Sequence, residues 1–316
     1  MTDHPATAEP IPLLIDTDPG VDDALALMMA FASPEHRVVG LSIAAGNVGL
    51  DHTVGNALKL LDVLAADVPV FPGCPLPLLA PAPDASHVHG RDGFGDTGYL
   101  PSRRQPAAEH AANAIIRLSH VHAGRLVLIA LGPLTNLALA LRLDPSLPER
   151  LARIVIMGGA VRMQGNISPW AEFNLRFDPE AAAIVFDGLP RFDLVDWQAV
   201  LDHPFPRSDF ERWLDFDSPA ARFFTAISQR FRDQQSQQRG DHAHAADALA
   251  MAVALDPDAG LEWRSHRVRI ALDGHARGAS LVDWQQHDPS PANARILITC
   301  NRSRFAALVQ RGLRYG

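Results

Sequence analysis

Short apolar runs alternate with Ala- and Leu-rich helical stretches along most of this 316-residue chain. That alternation restricts the fold more than any other feature, because it calls for a mostly parallel sheet covered by helices. Ile11–Ile15 is apolar on both faces, runs into Asp16 and is stopped by Pro19-Gly20, the pattern of a strand buried on both sides. Val21–Ala32 reads as a helix ended by Ser33-Pro34. Strand Val38–Ala44, helix Val54–Leu64 and strand Val68–Phe71 follow. Between Pro72 and Pro106 the pattern stops and Gly and Pro dominate; so long an irregular stretch is usually functional or disordered. Alternation resumes with helix Ala107–His122, strand Leu126–Leu131, helix Leu134–Leu143, strand Arg153–Met157, helix Pro179–Asp187 and strand Phe192–Asp196. Ala220–Gln235 is an amphipathic helix, Gln234–Gly240 a polar stretch and Ala245–Leu255 an Ala-rich helix. Strands Val268–Leu272, Ala279–Trp284 and Ile296–Cys300 and a helix, Arg302–Arg314, close the chain. The expected fold is α/β. One domain over residues 11–316 carries a mostly parallel open sheet with helices on both faces and a small C-terminal strand appendage, after a loose, disordered leader over residues 1–10.

Several function classes fall away on composition. Lys and Arg total 28 against 36 Asp and Glu, a net charge of −8 with no basic cluster, which argues against a nucleic-acid partner. The longest apolar run, Leu126 to Leu141, is interrupted by Gly132, Pro133, Thr135 and Asn136, so no membrane span is expected. The opening MTDHPATAEP has neither the basic start nor the apolar core of a signal peptide. Two cysteines, Cys74 and Cys300, make no disulfide framework, which fits a reducing, cytoplasmic location.

The densest chemical signal is Asp16-Thr17-Asp18-Pro19-Gly20-Val21-Asp22-Asp23, four carboxylates in eight residues where the first strand ends. Open parallel sheets bind ligands at that edge. Carboxylates so close repel one another unless a cation offsets them, and hard oxygen donors suit Ca²⁺ or Mg²⁺. A solvated acidic turn opening a helix is the plainer alternative, but the apolar strand leading straight into the cluster speaks against it. An EF-hand does not fit: counted from Asp16 the glycine is fifth and the twelfth residue is Leu27. A Mg²⁺-dependent phosphatase of the haloacid dehalogenase type also begins strand–Asp–x–Asp, with Asp16 as nucleophile. It needs a later lysine, and the only one, Lys59, comes too early. Gly93-Phe94-Gly95-Asp96-Thr97-Gly98 spells G-x-G-x-x-G, but it follows no strand and opens no helix, so it reads as loop backbone able to close over a substrate.

Residues 16–23 match in full the N-terminal signature of the inosine-uridine-preferring nucleoside hydrolases, and the chain resembles that family over nearly its whole length. Further matching segments are Ala45-Gly46-Asn47, His89-Gly90, Gly132-Pro133-Leu134-Thr135-Asn136 and Met157-Gly158-Gly159. Others are Asn166, Ala171-Glu172-Phe173-Asn174, Asp178-Pro179-Glu180-Ala181-Ala182 and Asp247. The resemblance implies hydrolysis of the N-glycosidic bond of ribonucleosides to ribose and free base. It implies a Ca²⁺ held by Asp18, Asp23 and Asp247 and by the Leu131 carbonyl, oriented by Asp16 and Asn47. Asp18 would be the general base for a Ca²⁺-bound water, and Asp22, Asn166, Glu172 and Asn174 would grip the ribose. Relatives are homodimers or homotetramers, so a homo-oligomer is expected.

The base side departs from the family pattern. Many members carry a histidine immediately before the last aspartate, where this chain has Ala246. The substitutes are His244, His89 and ring stacking. His244 would share a face with Asp247 if the helix begins near Ala243. Trp170, inside the Asn166–Asn174 run, is the preferred stacking residue, and Trp197 reads as core. Without the usual donor a preference for purines is expected, because a purine can be protonated at N7. The non-enzyme alternative is a metal-dependent ribose-binding module without turnover, against which an intact Asp18 argues.

Overall fold

The computed structural model describes residues 9–82, 86–162 and 164–316; most of the expected leader lies outside them. Strands β1 (Ile11–Thr17), β2 (His36–Ile43), β3 (Val70–Pro72), β4 (Leu126–Ala130), β5 (Leu151–Met157) and β6 (Phe192–Val195) are parallel. Two small strands, β7 (Phe205–Pro206) and β8 (His242–Ala243), pair with each other. Strand β9 (Gly260–His266) is followed by a separate antiparallel ribbon, β10 (Val268–Ile270) and β11 (Ser280–Val282), and then β12 (Ala294–Cys300). The main sheet runs β3-β2-β1-β4-β5-β6-β12-β9, with β12 parallel to β6 and β9 antiparallel at the edge.

The ribbon β10–β11 is the C-terminal appendage. The last strand, which the sequence groups with it, instead extends the main sheet, because Ile296 is fully buried beside β6. Alternation along β1 explains the two-sided cover. Leu13 and Ile15 face one apolar core, filled by helices Val21–Phe31, Leu50–Val63, Pro219–Arg239, Ala246–Leu255 and Arg302–Leu313. Leu14 faces the other, filled by Ala111–Val121, Thr135–Leu143 and Pro179–Gly188. Each such leucine contributes roughly 1.5–3 kcal/mol of burial. Among the described residues no helix is long and apolar enough to cross a membrane.

Two departures bear on the site. The amphipathic helix does not end at Gln235 but runs from Pro219 to Arg239, through most of the polar stretch, and ends at Gly240, whose φ of 66° only a glycine adopts easily. The helix carrying Asp247 begins at Ala246, not near Ala243, because His242–Ala243 is held extended by pairing with Phe205–Pro206. Strand order reverses between β1, which leads to β2, and β4. The carboxyl ends of β1 and β4 therefore flank the crevice where such sheets take ligands.

Candidate active site

The turn after β1 delivers the acidic cluster into that crevice. The Leu131 N–H donates to the Asp16 carbonyl (2.8 Å), which locks the ends of β1 and β4 together. Asp18 is buried, and one of its oxygens accepts the Asn47 N–H (2.7 Å). The Asn47 side-chain amide donates to the Asp18 carbonyl (3.1 Å) and to Asp23 Oδ2 (2.9 Å). Asp23 also accepts from the Gly20 N–H (3.0 Å) and from the Thr17 hydroxyl, so it caps the helix it opens. Helix Ala246–Leu255 packs against helix Val21–Phe31. Two helix N-termini thus meet here, and among the described residues Asp22, Asp23 and Asp247 bring carboxylate oxygens within 4.8 Å of one another.

Glu172 and Asn174 form the opposite wall. Glu172 caps a short helix, Phe173–Phe177, accepting the N–H groups of Asn174 (2.8 Å), Leu175 (3.2 Å) and Gly159 (2.9 Å). The Asn174 amide donates to the Leu131 carbonyl (2.6 Å), which keeps a second lone pair available. The cavity between the walls encloses about 970 Å³ of empty space, its open mouth included. Asp18, Asp22, Asn47, His89, Leu131, Asn166, Glu172, Asn174, His244 and Asp247 all line it.

Burial dominates the electrostatics. It pushes the Asp22 carboxyl up to about 6 and Glu172 up to about 7. Asp18 and Asp247 are held well above the usual carboxylate range, by burial first and then by neighbouring carboxylates: Asp23 and Asp22 for Asp18, and Asp22, Asp23, Asp18 and Glu172 for Asp247. One buried oxygen of Asp22 accepts no hydrogen bond among the described residues, and the nearest ionisable nitrogen, His89 Nδ1, is 3.8 Å away. An orphaned oxygen among converging, mutually repelling, all-oxygen donors is what a hard divalent cation would satisfy.

The sequence matches the family model of inosine-uridine preferring nucleoside hydrolases over residues 13–307. The chain belongs to this family. This nucleoside hydrolase is 33% identical over 285 residues to uridine nucleosidase 1 of Arabidopsis thaliana, covering 88% of this chain and 84% of that one. Among solved structures, it superposes on a plant nucleoside hydrolase, PpNRh1, with a TM-score of 0.89 at 32% identity, covering 97% of this chain and 100% of the other. It superposes equally on a purine-preferring ribonucleoside hydrolase from Gardnerella vaginalis, with a TM-score of 0.89 at 27% identity and coverage of 96% and 98%.

Asp16 lies behind the cavity wall, and Trp170 sits away from the cavity. Asp16 is fully buried behind the site, where Ser42 and Asn136 donate to it, and it does not line the cavity. That removes the phosphatase alternative, since a nucleophile must reach its substrate; Lys59 points towards Tyr99, 6.0 Å from the ring centre. Trp170 is 42% exposed and does not line the cavity. The N–H groups of Asn166, Ile167 and Ser168 converge on the Ala171 carbonyl, and this tight turn sends Trp170 outward while Asn166 and Glu172 face in. Trp197, read as core from sequence, packs against the core and, opening the short helix Trp197–Asp202 after β6, also forms part of the cavity wall. His244 does line the cavity, but from the link between β8 and the helix.

The long helix contributes Phe231, Gln234 and Gln235 to the wall, none of which sequence reasoning singled out. Their i, i+3, i+4 spacing and the stop signal at Gly240 were available clues. Phe231 stacks on His89, with ring centres 5.8 Å apart and planes at 28°.

Two glycines make room for Asp18. A Cβ added at Gly46 would lie 2.0 Å from Asp18 Oδ2, and one at Gly132 would lie 2.3 Å from Oδ1. Because Asn47 and the helix turn pin the carboxylate between them, Gly132→Ala is expected to displace it and lower kcat on ribonucleosides about 10²-fold. Steady-state kinetics beside a melting curve check this: an intact melt with unchanged kcat would show that Asp18 tolerates the shift.

Proposed function

We propose that the chain hydrolyses ribonucleosides to ribose and free base with Ca²⁺ as its cation, Asp18, Asp23, Asp247 and the Leu131 carbonyl holding the ion and Asp22 lying against it. The observation that supports this best is the meeting of buried, mutually repelling carboxylates, with one oxygen orphaned, in the crevice between β1 and β4. When bound, the cation supplies Lewis-acid polarisation of the attacking water.

The chain's own groups do the rest. Asp18, held by the Asn47 N–H, accepts a proton from water as its oxygen bonds to the anomeric carbon. Asp22, Asn166, Glu172 and Asn174 hold the ribose hydroxyls and steady the sugar as it becomes oxocarbenium-like. The glycosidic electron pair leaves on the base, which takes a proton, at N7 if it is a purine, from the histidine side of the cavity, His244 or His89. Trp197 and Phe231 supply apolar walls that keep bulk water from the leaving base. A cytoplasmic homodimer or homotetramer is the expected setting.

Incubating the protein with inosine and with uridine, with and without chelator, and measuring reducing sugar tests the reading. Sugar release that stops on chelation is the expected result. Release unaffected by chelation would overturn the cation assignment, and cation-dependent ribose binding with no release would mean a binding module.

A further inference from the structure

A histidine directly before Asp247 would be fixed by the first helical turn, but His244 lies ahead of that turn, in the link between β8 and the helix. One side chain takes over that task. Gln235 accepts the His244 N–H at its side-chain oxygen (3.0 Å) and donates its amide to the His244 carbonyl (2.9 Å). It thus pairs with both main-chain groups of one residue, as a neighbouring strand would. Gln235 stands on the helix whose Phe231 stacks on His89, so a single helix face braces both cavity histidines.

We propose that Gln235 is a positioning residue for the leaving-base side of the reaction: it holds His244 against the cavity and couples the long helix to the segment that leads into Asp247. This rests on the ribonucleoside hydrolase reading above. Gln235 acts through the His244 backbone, so its effect should follow how much a substrate needs help at the leaving base.

The test is a double-mutant cycle of Gln235→Ala and His244→Ala, read on inosine and on p-nitrophenyl riboside, whose leaving group needs no proton. A misplacement of about 1 Å can cost about 10²-fold. Gln235→Ala is therefore expected to lower kcat on inosine by about 10- to 100-fold with little change in KM. On p-nitrophenyl riboside it should stay within about threefold of wild type, and in the His244→Ala background it should cost nothing further. Gln235→Glu, which keeps the acceptor and loses the donor, should fall between. Equal losses on both substrates, additive losses in the cycle, or a silent His244→Ala would each overturn the positioning role while leaving the hydrolase reading intact. A wild-type protein inactive on every ribonucleoside would overturn both.

Discussion

Asp18→Asn is expected to lower kcat on inosine by at least ~10²–10⁴-fold, the usual effect of removing a general base. With Asp18 also a cation ligand, as proposed above, the loss should exceed that figure. The substitution keeps the side-chain volume, and a carbonyl oxygen can still accept the Asn47 N–H. Folding should therefore survive. Burial and the neighbouring Asp23 both oppose ionisation of Asp18. Removing that charge should relieve repulsion, so the cation-free variant is expected to melt no lower than cation-free wild type at neutral pH. Activity gone with stability kept, or raised, separates a catalytic role from a structural one. Residual activity within tenfold of wild type would sink the role assigned to Asp18.

Removing the divalent cation should have the next largest effect, on activity and stability together. Chelation is expected to abolish turnover and to lower Tm. A ligand at about 1,000 times its Kd stabilises by about 4 kcal/mol, on the order of 5–10 °C in a chain of this size. The pH dependence has a definite sign. Asp22, pushed up to about 6, and Glu172, up to about 7, bind protons in the fold over a range where the unfolded chain has released them. Their protonated forms contribute stability that is complete below about pH 4 and lost as pH rises through about 6 and 7. Cation-free protein should therefore melt progressively lower between about pH 4.5 and pH 7.5. Saturating Ca²⁺ should flatten or reverse that slope, since the cation favours the ionised carboxylates. Calorimetry at several pH values with and without Ca²⁺ decides it. A Tm indifferent to Ca²⁺ would mean the carboxylates hold no such ion.

Of the site, the acidic turn carrying Asp18 was legible from a local signal, an apolar strand stopped by Pro19-Gly20 and a helix start. Asn47, Leu131, Glu172 and Asn174 came only from the family resemblance, and all four line the cavity with Asp18. Trp170 could not be placed from its neighbours, because only the turn closed on the Ala171 carbonyl sends it outward. Trp197, read as core, packs against the core and also reaches the cavity wall. The helix ending at Arg239 was cut short because its last turns are polar; they show no apolar period on the side away from the core, although Phe231, Gln234 and Gln235 face the cavity.

Residue pattern alone settles the α/β architecture and the placing of an acidic turn at the sheet edge. An apolar run followed by Pro-Gly and a helix start has to leave its loop at the strand's carboxyl end. The tertiary structure brings Asp247, more than two hundred residues beyond Asp18, to the first helix's aspartates, a meeting that the family resemblance implied and no local pattern encodes. It alone decided that Gln235 reaches the His244 backbone. Local pattern carries period and punctuation, whereas which distant helix ends share a crevice depends on how whole faces pack against the sheet, and no short stretch of residues encodes that.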